Sequence, residues 1–176
     1  MDLFEAFQKR KSVRSYLPTP VSDKDLLTVL DAARLAPSAG NAQPWHFIVV
    51  RDKAKRDQIA EGCRYGKFLS ESPVVIIACG DTRASTRWYL VDTSIALEHI
   101  VLAATALGLG TCWIGMFNDE EIRNLIKLPP AFKIIALISL GYPREKTDLW
   151  AKVLHAIRPR KKLADIYSSE QYGSVG

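Results

Sequence analysis

The sequence carries none of the compact signatures of a metal centre or a covalent nucleophile. Its three cysteines, Cys63, Cys79 and Cys112, share no short spacing, and the absence of a CxxC pair speaks against a zinc ribbon or a dithiol redox motif. Cys79 in "VVIIACG" and Cys112 in "GLGTCWIG" sit in apolar surroundings, where buried, reduced thiols of an intracellular protein are expected. The three histidines, His46, His99 and His155, fit no HExxH or related spacing. There is no GxxxxGK[ST] to cradle phosphates and no GxSxG elbow. "GLGTCW" opens like a dinucleotide fingerprint, but Trp113 stands where the third glycine belongs. That segment also leads from helix into strand, whereas a Rossmann loop leads from strand into helix. An enzyme built this way needs a bound cofactor to carry its chemistry.

Long single-sign charge runs are missing too. The net charge is +5, and no run reaches five basic residues; the densest stretch is "RPRKK" at 158–162. Such a balance suits anionic partners without naming one. A nucleic-acid-binding module would need a recognition motif or aromatics interleaved with the cations, and neither is present. The N-terminal "MDLFEAFQKRK" lacks the order of a signal peptide, so a cytoplasmic location is expected. One uncharged run, residues 100–117, approaches membrane-spanning length. Gly108 and Gly110 interrupt it, which favours a buried helix followed by a buried strand over a membrane span.

At 176 residues and 48% hydrophobic content, the chain suits one soluble domain with a substantial core, and no linker or repeat divides it. Leu3, Phe4 and Phe7 predict a short amphipathic helix. Ser22, three residues before Asp25, predicts the cap of a second helix that Pro37 ends. After the polar loop "SAGNAQP" come a strand "WHFIVVR", a polar helix over 53–62 and a central strand "VVIIACG" opened by Pro73. A long, largely buried helix is expected over 89–107. A strand in "GLGTCWIG", a helix "EEIRNLIKL" capped by Asn118 or Asp119, and a last strand within "PPAFKIIALISLGYP" follow. The tail from Arg144 onward, with His155, is basic and has little periodicity. Alternating helices and strands predict a mixed sheet flanked by helices. His99, alone within the long helix, reads as a hydrogen-bonded core residue rather than a ligand.

"RKSVRSY", residues 10–16, is a charge cluster that by itself reads as a solvated turn. If extended, it places Arg10, Ser12 and Arg14 on one face and Lys11, Val13 and Ser15 on the other. Three stretches of the chain together resemble one family, the FMN-dependent nitroreductases. They are "RKSVRSY", "APSAGNAQPWHF" at 36–47 and "AATALGLGTCWIG" at 103–115, joined by the basic tail "RPRKKL".

The resemblance implies an α+β fold with a mixed, mostly antiparallel sheet flanked by helices, as one domain over 1–176. It implies an obligate homodimer holding FMN at the subunit interface. It implies an oxidoreductase that uses NAD(P)H to reduce nitro compounds, quinones or similar small-molecule acceptors by ping-pong hydride transfer. Same-fold alternatives are a flavin-fragmenting enzyme and a reductive dehalogenase. No membrane or nucleic-acid partner is implied, no metal, and no catalytic side chain, since the flavin N5 carries the reaction.

The same resemblance assigns the site residues. Arg10 and Ser12, with Lys11 between them, belong to the phosphate and ribityl region, and Arg14 to the N1/O2 edge of the flavin, where a cation stabilises reduced-flavin charge. Arg158 and Arg160 add phosphate contacts suited to the guanidinium fork, with Lys161 or Lys162 taking that role under a one-residue shift. Pro37, Ser38, Ala39 and Asn41 resemble the loop that reaches the partner subunit's flavin; Gln43 joins it or braces it, and Trp45 reads as core. Ile114 and Gly115 resemble the segment that offers a backbone N–H to N5, where glycine permits close approach. Leu140 and Gly141 read equally well as a strand end. One departure is visible: Tyr65, Gly66 and Lys67 stand where many members carry a flavin-contacting asparagine. The long insertions that roof the site in larger members are lacking, so the pocket is either more open or roofed by Trp88 and Tyr89 or by the tail.

Overall fold

The computed structural model describes residues 1–145 and 156–173; residues 146–155, with His155, and 174–176 lie outside the described ones. The chain forms two compact units, Met1–Glu145 and Lys146–Gly176.

In the first unit, α1 (Leu3–Lys9), α2 (Asp23–Arg34), β1 (Trp45–Val50), α3 (Lys53–Glu61), β2 (Val74–Asp81), α4 (Tyr89–Ala106), β3 (Gly110–Ile114), α5 (Asp119–Ile126) and β4 (Phe132–Gly141) follow the order read from the sequence. The caps explain the helix starts. Ser22 accepts from the Asp25 amide at 3.0 Å, and Asn118 accepts from the Glu121 amide at 3.4 Å. α2 ends at Arg34, short of Pro37, because a residue before proline avoids the helical region and the chain must turn out earlier.

The four strands form one sheet in the order β1-β2-β4-β3, every pair antiparallel. The parallel component is a single bridge, Ser12 to Thr111, that lays the N-terminal segment along the outer strand. The sheet is the middle of three layers. Val74, Ile76 and Ala78 of β2, with Ile138 and Leu140 of β4, pack on one face against α2 and α4. Val75, Ile77 and Cys79, with Leu137, pack on the other face around Ile59 of α3 and Ile122 of α5. Strand alternation thus serves two cores at once, which is why β2 reads as unbroken apolar sequence. The register slips by one residue between Ala78 and Cys79, opposite Ala136 and Ile134. The bulge lets Ile134 join the second core while Ala136 stays in the first.

Among the described residues, α4 is the one helix long and apolar enough to cross a membrane. It packs against α1, α2 and all four strands. Residues 100–117 form the end of α4 and then β3, as expected, but the helix is only partly buried: Ala106 and Leu107 at its end are exposed, as is Met116 beyond the strand.

In the second unit the described residues are exposed; 156 and 157 are helical, and Leu163–Asp165 form a 3-10 turn.

Candidate functional site

The segment at 10–16 is held by its apolar and aromatic members, which leaves the polar ones outward. Val13 is buried, and its amide donates to the Thr111 carbonyl at 2.8 Å. Gly110, at the start of β3, makes room for it: a Cβ there would meet the Val13 side chain at 2.7 Å. Tyr16 is 1% exposed, and its hydroxyl lies 2.6 Å from both the Val13 carbonyl and Ser139 Oγ at the centre of the sheet. Burial drives its phenol strongly upward in pKa, so it stays a neutral anchor. With Val13 and Tyr16 inward, Lys11 and Ser12 are exposed, and Arg10 and Arg14 are half-buried.

Arg10 also has an electrostatic partner across the site. Glu98 of α4 is half-buried, and burial raises its pKa; Arg10 attracts it and the Trp113 side chain bonds to it, both pulling the other way. One carboxylate thus ties the N-terminal segment and β3 to the same turn of α4. His99, the next residue, places Nδ1 3.0 Å from the Ala32 carbonyl, the hydrogen-bonded core role expected of it.

Beyond β3 the chain emerges at Gly115. Ile114 turns its side chain into the second core, so what it offers outward is backbone. Gly115 is exposed, and nothing stands within 4 Å of where its Cβ would be. The Tyr65 region runs alongside: the Arg64 amide donates to the Met116 carbonyl at 3.3 Å, and Cys63 pairs with Phe117. Tyr65 is exposed under the Arg64 guanidinium, 5.4 Å from the ring centroid. The departure at 65–67 therefore borders the glycine exit.

The loop at 37–43 is anchored on the N-terminal half of α4. The Ala39 amide donates to Asp92 Oδ1 at 3.2 Å, and the Gln43 amide to Ser38 Oγ at 3.0 Å. Gln43 Nε2 donates to the Asn41 carbonyl at 3.1 Å, so Gln43 braces the loop. Gly40, Asn41 and Gln43 all have φ between 46° and 57°. Left-handed backbone costs a non-glycine residue about 1–2 kcal/mol, and such outliers point to a constrained, functional turn. Pro37, Ala39 and Asn41 are exposed, and Ser38 is half-buried. Trp45 packs on the first core, and Gly141 ends β4.

The structure thus gathers Arg10, Lys11, Ser12 and Arg14 beside Thr111–Trp113, with Ile114 and Gly115 at the strand's end. The loop carrying Pro37, Ser38, Ala39, Asn41 and Gln43 sits two helical turns away on α4, at Asp92 rather than Glu98. Six residues of helix place these carboxylates about 9 Å apart along the axis. Arg158 and Arg160 lie in the second unit, both exposed. Among the described residues, no His, Cys, Asp or Glu group is placed to hold a metal.

Sequence reasoning passed over Asp92, Glu98 and Tyr16. The signal for the first two was two acids inside an otherwise apolar helix. For Tyr16 it was an aromatic closing a polar run.

The nitroreductase family model matches residues 7–65 and 61–142. The chain is 40% identical over 148 residues, 80% of this chain and 85% of the relative, to an Archaeoglobus fulgidus protein provisionally named an NADH dehydrogenase/NAD(P)H nitroreductase. Among solved structures, an FMN-dependent nitroreductase from Clostridium difficile R20291 superposes with TM-score 0.77 at 34% identity, covering 82% of this chain and 89% of that one. A nitroreductase family protein from Clostridium novyi NT superposes with TM-score 0.79 at 32% identity, covering 99% and 96%. This chain belongs to the nitroreductase family.

Proposed function

We propose that the protein is an FMN-dependent oxidoreductase that draws electrons from NAD(P)H and passes them to nitro compounds, quinones or similar acceptors in a ping-pong cycle. The observation that carries this reading is the pairing of Ser12 and Val13 with Thr111. It sets a row of hydroxyl and cations beside a strand that ends in an open glycine, on a chain of this family.

The residues present suit the cofactor. Arg10, Lys11 and Ser12 offer cations and a hydroxyl to a phosphate and polyol, and Gly115 leaves the backbone uncovered for a ring. Arg158 and Arg160 add phosphate contacts. Bound FMN supplies a hydride acceptor and donor at N5. Arg14 would place a positive charge beside the bound ring and would favour its reduced form. The backbone at Ile114 and Gly115 orients the ring, and the strained 37–43 loop supplies Asn41 from a second copy.

The apolar surface of α1 and α4 supports a homodimer. Phe4 is 75% exposed, and Leu3, Phe7, Leu90, Val91 and Ile95 are exposed on the same two packed helices. An exposed apolar face of this kind marks an interaction surface. In this reading, residues 1–176 act as one flavin-binding domain, in the cytoplasm.

The test is a spectrum of the purified protein, followed by anaerobic reduction with NADH and NADPH. A colourless protein that fails to bind added FMN overturns the proposal. With FMN saturating, Arg14→Ala slows flavin reduction by roughly ten-fold or more, equivalent to at least about 1.4 kcal/mol in the barrier, while Arg10→Ala changes it little. Equal slowing in both variants refutes the division of roles.

A further inference from the structure

A second concave site lies away from the glycine exit, between the proline-rich run at 17–21 and the start of α3. It encloses about 620 Å³ and is lined by Arg51, Lys53, Arg56 and Arg144, with Glu71 as the single acid on its wall. That volume falls within the range of small-molecule pockets.

The cations are not equivalent. Arg51 pairs with Asp23 at 2.6 Å, and Lys53 with Asp57 at 2.6 Å, so their charges are locally balanced. Arg56 is 8% exposed and has no ion pair among the described residues. Its Nε donates to the Arg51 carbonyl at 3.2 Å, and its Nη1 donates to the carbonyls of Ser70, at 3.1 Å, and Ser72. These bonds lock the guanidinium plane but supply no counter-charge. Nη2 is bonded to no described residue and is not among the atoms sealed from solvent without a partner. Arg144 is exposed, and its Nε and Nη2 donate to the Tyr16 carbonyl at 3.1 and 2.9 Å, leaving Nη1.

Burial lowers the Arg56 pKa, and attraction from Asp57 and Asp52, neither of them ion-paired to it, works the other way. Arg56 and Arg144 both line this cleft, held by backbone acceptors rather than by ion pairs, and the N–H fork of a guanidinium suits phosphate oxygens. Pro18, Pro20 and Pro73 make the remaining wall apolar and rigid, which suits a flat or apolar body attached to that phosphate.

We infer that this cleft binds a phosphate monoester with an apolar or aromatic body, with Arg56 and Arg144 on the phosphate and the prolines against the body. No residue assigned to contact the flavin lines this cleft, although Tyr16, which anchors their segment, stands on its wall.

The test titrates the full-length, flavin-loaded protein with AMP, inorganic phosphate and adenosine by calorimetry. AMP is expected to saturate one site per chain, more tightly than phosphate or adenosine, with the flavin spectrum unchanged. Arg144→Gln is expected to weaken AMP binding by about ten-fold or more, as loss of a charged hydrogen-bond pair does. Arg83→Gln, outside the cleft, leaves it unchanged. Arg56→Met abolishes binding if it folds; if it does not, Arg144→Gln decides alone. Phosphate binding as tightly as AMP overturns the apolar-body assignment. The site itself is overturned if AMP shows no saturation by about 10 mM, displaces flavin, or binds Arg144→Gln as it binds the native protein.

Discussion

Single residues here work through where they are buried. Val13 and Tyr16 carry the "RKSVRSY" segment onto the sheet, and their inward direction aims Ser12 and the cations outward. Glu98 is the matching group on the opposite wall. Its folded-state pKa is raised by burial, so the folded protein binds that proton more tightly than the unfolded chain does. The stabilisation is present below the unfolded value, near 4.5, and is lost as pH rises through the higher folded value. Glu98→Gln removes this dependence. Urea denaturation of the flavin-free protein should show the variant gaining stability relative to wild type between pH 4 and pH 7. The carboxylates Asp31, Asp57 and Asp81, whose pKa values are lowered by Arg and Lys partners, oppose this trend in both proteins and cancel in the comparison. An equal difference at the two pH values contradicts the assignment.

Among elements, β3 is decisive, because one edge pairs with β4 and the other receives the N-terminal segment. Its first residue must be small. In Gly110→Ala the new methyl group would meet Val13 Cγ2, Cβ and Cγ1 at 2.7, 2.8 and 2.9 Å. Val13 is β-branched and cannot swing away cheaply. Overpacking of this kind costs about 1–3 kcal/mol, read as a lower midpoint in chemical denaturation. Adding Val13→Ala should return part of that loss, while a double variant no better than the additive sum would place the clash elsewhere. Displacing Val13 also displaces Ser12, so flavin retention should fall in the single variant.

At the scale of the first unit, α1 and α4 carry an apolar surface that no other described residue of that unit covers. Phe4→Glu combined with Ile95→Glu should convert the protein to a monomer in sedimentation velocity. It should also release FMN, since the 37–43 loop then has no second subunit to serve. A double variant that stays dimeric and yellow would place the interface on another surface.

The residue order already carries the order and kind of the elements, because caps, prolines and the two periodicities are local physics. Ser22, Asn118 and the apolar run of β2 each show it. It also held the three motif stretches, which family resemblance made readable. What those stretches face is set by folding. The antiparallel order β1-β2-β4-β3, the bulge that sends Ile134 and Ala136 to opposite cores and the docking of Ser12 on Thr111 join residues far apart in the chain. No local propensity encodes such pairings; they are selected by burying both sheet faces at once. Asp92, Glu98 and Arg56 were silent for the same reason. A charged residue acquires its role from what surrounds it after folding, when burial and a partner, or the lack of one, set its charge to work.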